Sequence, residues 1–180
     1  MQLWPFKLEQ QEIKMVILGI DPGSRSAGFG LVRQDGKKII LLASGVMRYD
    51  FAGNFVDRLA EIYNSCNELR DKYIPDEIAI ESLIYVKSVS SLAKLAQARG
   101  AMIAAFSKTH KNKIFEYSPN LIKAAISGDG HASKESIQKG LQMIFGKRDF
   151  KTSDESDAIA IATCHAFCRR NILRTQERIL

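Results

Sequence analysis

Residues 15–32 read MVILGIDPGSRSAGFGLV and decide the fold of this chain. The short aliphatic run up to Ile20 is typical of a strand buried on both faces, and it ends at Asp21. Pro22 and Gly23 then turn the chain, and the following GFGLV predicts a second strand antiparallel to the first. The carboxylate of Asp21 is therefore expected at the tip of a core strand. Taken alone, these residues also fit a common turn in which Asp21 only caps its own backbone.

The apolar pattern outside this stretch predicts an α/β fold with a five-stranded mixed sheet. Three strands in a row form an antiparallel meander, and two later strands, each reached through a helix, run parallel beside it, with helices on both faces. Gly100, inside the second helix, predicts close packing of that helix against another element. The predicted strands are 15–20, 28–32, 39–46, 76–81 and 113–117, and the predicted helices are 55–73, 88–108, 120–126, 133–145 and 153–171, the last opened by a capping box over 152–155.

Composition and length indicate one ordinary globular domain. The 180 residues are 46% hydrophobic and 26% charged, and 26 Lys and Arg against 20 Asp and Glu leave a formal charge of +6, which favours a polyanionic partner. Three scattered cysteines do not form a disulfide framework, so we expect a cytoplasmic protein. No apolar run approaches the roughly 20 residues that span a bilayer, so no membrane partner is expected.

The domain boundaries follow from where the fold pattern begins and fades. Residues 1–14 are predicted to be a flexible N-terminal extension without signal-peptide character, residues 15–172 the folded domain, and residues 173–180 a C-terminal tail. Met15 is a plausible alternative start, because the strand pattern begins there.

Three further acids fall where the predicted fold would bring them towards Asp21. Glu81 ends the strand 76–81, and Asp154 and Asp157 lie on one side of the first turn of the last helix. The apolar run after Asp157 indicates that this helix packs against the sheet, so the acids would be partly buried. A divalent cation relieves such crowding, and oxygen ligands select Mg²⁺ or Mn²⁺. For Asp154 and Asp157 alone, an equally good explanation is that acids are favourable in the first turn of any helix.

A predicted site for divalent cations, together with a basic surface, suggests a nuclease. In two-metal sites the ions clamp the attacking and leaving oxygens of a phosphodiester in line. The chain resembles the RuvC-type Holliday junction resolvases of bacteria, which have the RNase H-like fold. The resemblance lies in ILGIDPGSR at 17–25, GFG at 28–30, AIE at 79–81, KLAQARG at 94–100, FEY at 115–117 and SDAIAIA at 156–162.

The resemblance implies a catalytic, metal-binding tetrad with two Mg²⁺ or Mn²⁺ ions per site, formed by Asp21, Glu81, Asp154 and Asp157. It also implies a homodimer that nicks two opposing strands of a four-way DNA junction symmetrically, in recombination and repair, and leaves 5′-phosphate ends. A branch-migration motor complex is a further expected partner.

Two lysines match basic positions of the same family. Lys123 and Lys134 are expected to position DNA phosphates, and Lys134 to stabilise transition-state charge as well. Without the resemblance, both fit an ordinary solvated surface. The family has an aromatic residue after the strand-end glutamate that inserts at the junction centre, whereas this chain has Ile84 there, followed by Tyr85. Tyr85 could stack on a base or Ile84 could act as a wedge, and a core role for both is equally compatible.

Other interpretations of the same residues stay open. Actin-like sugar kinases and ATPases begin with a similar strand and glycine-rich hairpin, but no second phosphate hairpin or adenosine motif is found here. A non-catalytic junction-binding protein would have the same basic surface. The run Cys164-His165 followed by Cys168 has the look of a zinc motif but falls in an apolar helical pattern, which favours core packing.

Overall fold

A five-stranded mixed sheet organises the computed structural model, which describes residues 14–49, 53–83 and 88–177. The strand order is β3-β2-β1-β4-β5, with β1, β2 and β3 antiparallel and β4 and β5 parallel to β1. The predicted fold class is therefore confirmed. The elements are β1 (Lys14–Asp21), β2 (Ser26–Asp35), β3 (Lys38–Arg48), α1 (Phe55–Tyr73), β4 (Glu77–Glu81), α2 (Val89–Ser107), β5 (Ile114–Tyr117), α3 (Pro119–Ser127), α4 (Lys134–Phe145) and α5 (Ser153–Glu177).

Side-chain caps begin the helices where the sequence signals them. The side chains of four polar residues each accept a backbone N–H in the first turn, at α1, α2, α3 and α4: Asn54, Ser88, Ser118 and Ser133. Helix α1 ends at Tyr73, and Ile74 takes a left-handed conformation before Pro75. These local signals explain why the predicted starts of the described helices lie within one residue of the observed ones.

Both faces of the sheet are covered by helices. Successive side chains of β1 and β4 point to opposite faces, so each strand contributes to the core on both sides. Leu18 and Ile20 pack with residues of α1 and α2, whereas Ile17 packs with residues of α3, α4 and α5. Two apolar cores therefore enclose the sheet. None of the described helices combines the length and the apolar character that crossing a membrane would require.

Helix α5 lies directly on β1 and β2, because glycines remove the side chains that would separate them. Gly19 and Gly30 are paired across the two strands. A Cβ on Gly19 would stand 2.3 Å from the backbone oxygen of Ala158, and one on Gly30 would stand 2.7 Å from the Cα of Ile159. No side chain fits at either place, so these glycines set the height of α5 above the sheet.

Two predictions about helices α2 and α5 are wrong. Helix α5 continues to Glu177 instead of ending near Asn171, because residues 172–177 contain no glycine or proline to stop it. Gly100 does not pack against another element, since no described atom lies within 4 Å of where its Cβ would be. The predicted N-terminal extension lies outside the described residues except for Lys14, which begins β1.

The predicted capping box at the start of α5 forms only in part. The backbone N–H of Glu155 donates to Thr152 Oγ1 at 3.2 Å, as such a box requires. The carboxylate of Glu155 does not return to the Thr152 backbone, however. It accepts hydrogen bonds from Ser44 on β3 and from the backbone N–H of Lys151. The glutamate thus joins the helix to the sheet.

Candidate active site

Two of the four predicted acids end neighbouring strands. Strands β1 and β4 are parallel and hydrogen-bonded, with Ile20 paired with Ile80. Asp21 and Glu81 follow these residues directly, and each is the last residue of its strand. The two carboxylates therefore leave the sheet side by side at the same edge.

The other two acids lie on the first turns of α5, at this same edge. Asp21 is paired with Gly28 in β2, and a Cβ on Gly28 would stand 1.9 Å from the backbone oxygen of Asp154. The start of α5 thus rests on the cross-strand partner of Asp21. Asp157, almost one turn further along, lines a cavity of about 140 Å³ together with Glu81. The structure brings all four predicted acids to one end of the sheet.

Burial and mutual repulsion make these carboxylates hard to ionise. The pKa of Asp21 rises from 3.8 to about 8, first because the group is buried and then because Asp157, Glu81 and Asp154 are close. Burial also raises the pKa of Glu81 and that of Asp157, while nearby lysines oppose both changes. Such an excess of negative charge in a partly desolvated space is the environment that a divalent cation stabilises.

The donor set suits a hard cation, although the carboxylates lie apart. All four side chains offer only oxygen, which fits Mg²⁺ or Mn²⁺. Asp21 and Asp154 line an opening of about 290 Å³, whereas Glu81 and Asp157 line the cavity of about 140 Å³. Among the described residues, no three His, Cys, Asp or Glu side chains are grouped as ligands of one ion. Holding an ion would require these carboxylates to come closer together.

Hydrogen bonds from neighbouring side chains support two of the acids. Ser26 Oγ donates to Asp154 Oδ2 at 2.8 Å, and Ser153 Oγ donates to Asp154 Oδ1 at 3.3 Å. Arg99 on α2 donates from Nε to the backbone oxygen of Glu81 at 3.0 Å. These contacts orient the Asp154 carboxylate and hold the end of β4.

Both predicted lysines face the acids. Lys123, which is half-buried on α3, and Lys134, the first residue of α4, line the same cavity as Glu81 and Asp157. Each lysine therefore lies where it could contact a phosphate bound beside the acids. Ile84 and Tyr85, the predicted junction-opening residues, lie outside the described residues.

The cysteine and histidine run on α5 belongs to the core. Cys164 and His165 have no exposed surface. His165 Nε2 lies 2.6 Å from Glu77 Oε2, and Tyr117 Oη lies 2.5 Å from His165 Nδ1. Burial lowers the pKa of His165 and outweighs the nearby carboxylate, so we assign a neutral ring that donates from Nε2 and accepts at Nδ1. The run links α5 to β4 and β5, as the core-packing interpretation predicts.

The supporting residues were not identified from the sequence. Arg99 falls among the apolar residues that recur at helical spacing in α2, and an arginine at such a position signals a buried partner. It lies 2.9 Å from Glu116 as an ion pair and also contacts the Glu81 backbone. Ser26 and Ser44 carry no comparable signal, because a serine in a strand has many ordinary roles.

Comparisons with known proteins point to one family. Residues 17–165 match the family model described as crossover junction endodeoxyribonuclease RuvC. The RuvC protein of Trichlorobacter lovleyi is 41% identical over 152 residues, which is 84% of each chain. That of Psychromonas ingrahamii is 38% identical over 164 residues, covering 91% of this chain and 94% of its own.

Solved structures share the whole architecture. Thermus thermophilus RuvC in complex with a Holliday junction substrate superposes with a TM-score of 0.80 and 30% identity, over 87% of this chain and 96% of that chain. The yeast mitochondrial Holliday junction resolvase, at 18% identity and a TM-score of 0.67 over 91% of this chain and 84% of its own, shows the same fold. On the strength of the family match and of these relatives, the chain belongs to the RuvC family of crossover junction endodeoxyribonucleases.

Proposed function

We propose that this chain is a structure-selective endonuclease that resolves four-way DNA junctions by paired symmetric nicks in recombination and repair. One observation carries the proposal: four acids lie at one end of the sheet, and two of them share a cavity with Lys123 and Lys134. Phosphodiester hydrolysis needs acidic side chains that bind metal ions and, beside them, basic side chains that bind the phosphate. The chain therefore combines the family's substrate class with a site of suitable chemistry.

In the proposed mechanism the four carboxylates hold Mg²⁺ or Mn²⁺, with two ions per site. Cations bound there supply Lewis-acid activation for in-line hydrolysis of a phosphodiester that leaves 5′-phosphate ends. Lys123 and Lys134 position the scissile phosphate, and Lys134 adds stabilisation of the charge that develops on it. Ser26 orients Asp154 through a hydrogen bond to Oδ2, and Ser153 adds a longer one to Oδ1, so the carboxylate is held at the edge of the site.

The proposed working unit is a homodimer on junction DNA. The exposed side of α2 carries small residues on one face: Ala93, Ala96, Gly100 and Ala104. Small side chains allow a second helix to approach closely, so this face suits a second copy of the chain. A two-fold dimer would present two sites to two opposing strands. The formal charge of +6 favours attraction of the DNA backbone.

Three finer parts of the proposal rest on the resemblance or on composition. Tyr85 stacks on a base at the junction centre, or Ile84 acts as a wedge there. A branch-migration motor complex is a proposed partner. The described free cysteines, Cys66, Cys164 and Cys168, form no disulfide among themselves and suit a reducing cytoplasm.

Replacing Asp21 by asparagine separates cutting from binding. We expect Asp21→Asn to abolish nicking of a synthetic four-way junction in Mg²⁺ or Mn²⁺ while junction binding in a gel-shift assay survives, because the basic surface is unchanged. Asp71→Asn, the same substitution at an exposed carboxylate of α1, serves as the control and should cut normally. Normal cutting by Asp21→Asn would show that Asp21 is not a required ligand. A wild-type protein that binds junctions without nicking them would favour a non-catalytic binding protein, and ATP turnover without DNA would favour a phosphotransferase.

A further inference from the structure

A fifth carboxylate beside the site is fully engaged by the protein. Glu155, which is 8% exposed, lies between Asp154 and Asp157 in the sequence. Its Oε1 accepts a hydrogen bond from Ser44 Oγ on β3 at 2.7 Å, and its Oε2 accepts one from the backbone N–H of Lys151 at 2.8 Å. Glu155 thus ties the first turn of α5 to the sheet and to the segment before the helix.

The pairing of the strands allows α5 to reach β3 at this point. Ser44 is the cross-strand partner of Gly30, and Gly30 is the partner of Gly19. Because these two glycines let α5 lie flat on β1 and β2, a side chain at its start can reach the third strand. Ser26 of β2 donates to Asp154 in the same first turn. Two neighbouring strands therefore each give one hydroxyl to a carboxylate at the start of α5.

This turn is the part of the site that repulsion can move most easily. Asp154 and Asp157 lie at a helix start, which frays more readily than a strand in the middle of a sheet. The preceding residues, 146–152, form no helix or strand. Asp21 and Glu81, by contrast, are held by the paired strands β1 and β4. A restraint on the first turn of α5 therefore keeps the two helix acids from moving away from the two strand acids.

We propose that Ser44 and Glu155 are positioning residues that hold Asp154 and Asp157 in place for cation binding. The inference rests on the proposed function, because it concerns the same cations. Glu155 is not one of the proposed cation ligands, because its carboxylate is turned towards Ser44 and the backbone of Lys151. Its effect is exerted through the position of the helix turn.

Calorimetric titration of the full chain with Mn²⁺, without DNA, measures this effect directly. Glu155→Gln should weaken Mn²⁺ binding and raise the dissociation constant by about tenfold or more, because an amide nitrogen, which accepts no hydrogen bond, then replaces one of the two accepting oxygens. Ser44→Ala should weaken it less, and Ser44→Thr, which retains the hydroxyl, should restore binding close to wild type. All titrations are made below the unfolding temperature of each variant, as determined by circular dichroism.

Glu77→Gln is the matched control. Glu77 is 5% exposed and its oxygens also accept hydrogen bonds, from His165 and Arg169, but it lies at the opposite end of β4 from Glu81. It should lower the unfolding temperature and leave the Mn²⁺ dissociation constant within about twofold of wild type.

The outcomes separate this inference from the proposed function. If wild type binds Mn²⁺ and nicks junctions while Glu155→Gln and Ser44→Ala bind Mn²⁺ as well as wild type, the inference is overturned and the function stands. If Glu155→Gln and Glu77→Gln weaken binding equally, the role of Glu155 is only structural, which also overturns it. If wild type neither binds Mn²⁺ nor nicks junctions, both proposals fail. Should Glu155→Gln not fold, Ser44→Ala against Ser44→Thr decides the matter.

Discussion

Asp21→Asn is expected to stabilise the metal-free protein while it removes a proposed catalytic group. Burial and then three nearby acids raise the pKa of Asp21 from 3.8 to about 8. The folded protein therefore retains a proton that the unfolded chain releases near pH 4. Stability from this group is complete below that pH and is lost as the pH rises towards 8. Above pH 8 the wild type carries an uncompensated buried charge that asparagine lacks.

The size of the effect follows from this pKa difference. A rise from 3.8 to about 8, at about 1.4 kcal/mol for each pKa unit, sets an upper bound of about 6 kcal/mol. Because the site opens to solvent and its side chains can relax, we expect about 2 kcal/mol, which is about 4 to 8 °C in unfolding temperature for a chain of this length.

Thermal unfolding in EDTA, followed by circular dichroism between pH 4.5 and 9, measures this difference. The gap between Asp21→Asn and wild type should be smallest at pH 4.5 and widen with rising pH. With Mn²⁺ present the gap should shrink, because a cation stabilises only the wild-type site. Equal unfolding temperatures at pH 8.5 in EDTA would refute the idea that this carboxylate is strained by burial and repulsion.

Three further substitutions test other parts of the molecule. Lys134→Ala should reduce the slope of log affinity against log salt by about 0.9 in junction-binding titrations; an unchanged slope and cleavage rate would return this lysine to the solvated surface. Gly28→Ala should lower the free energy of unfolding in urea by about 2 kcal/mol and weaken Mn²⁺ binding, because its Cβ would stand 1.9 Å from the Asp154 oxygen; wild-type behaviour would contradict the close contact. His165→Ala should cost about 3 kcal/mol in the same urea assay, because Glu77 loses a buried partner; a loss below about 1 kcal/mol would show that the network adds little.

Most of the fold was predictable because its signals are local. Short apolar runs and helical apolar periods predict the five strands and five helices that the structure describes, and polar residues that can cap a helix, such as Asn54 and Ser118, stand at helix starts. The end of α5 was missed because no residue after Asn171 marks a stop. Gly100 was misinterpreted for a different reason. A glycine permits a close neighbour, but whether one is present depends on what the rest of the fold, or a second chain, brings there.

The four acids were predictable as a set, whereas their support was not. Each acid ends a strand or begins a helix, so the topology alone brings them to one edge. The distances between their carboxylates depend on side-chain rotamers, which the pattern does not contain. The roles of Arg99 and Glu155 depend on contacts between residues far apart in the sequence. Helical periodicity places Arg99 within an apolar stripe, and the capping-box pattern places Glu155 in a helix cap.

The proposed function is tested most directly by mapping nicks on all four strands of a mobile four-way junction. A linear duplex of the same sequence is treated in parallel for comparison. With Mg²⁺ we expect paired nicks at symmetric positions in two opposing strands of the junction, with 5′-phosphate ends, and an intact duplex. In EDTA both substrates should stay whole. Equal cutting of the duplex, or nicking that persists in EDTA, would contradict a cation-dependent, junction-selective nuclease built on these four acids.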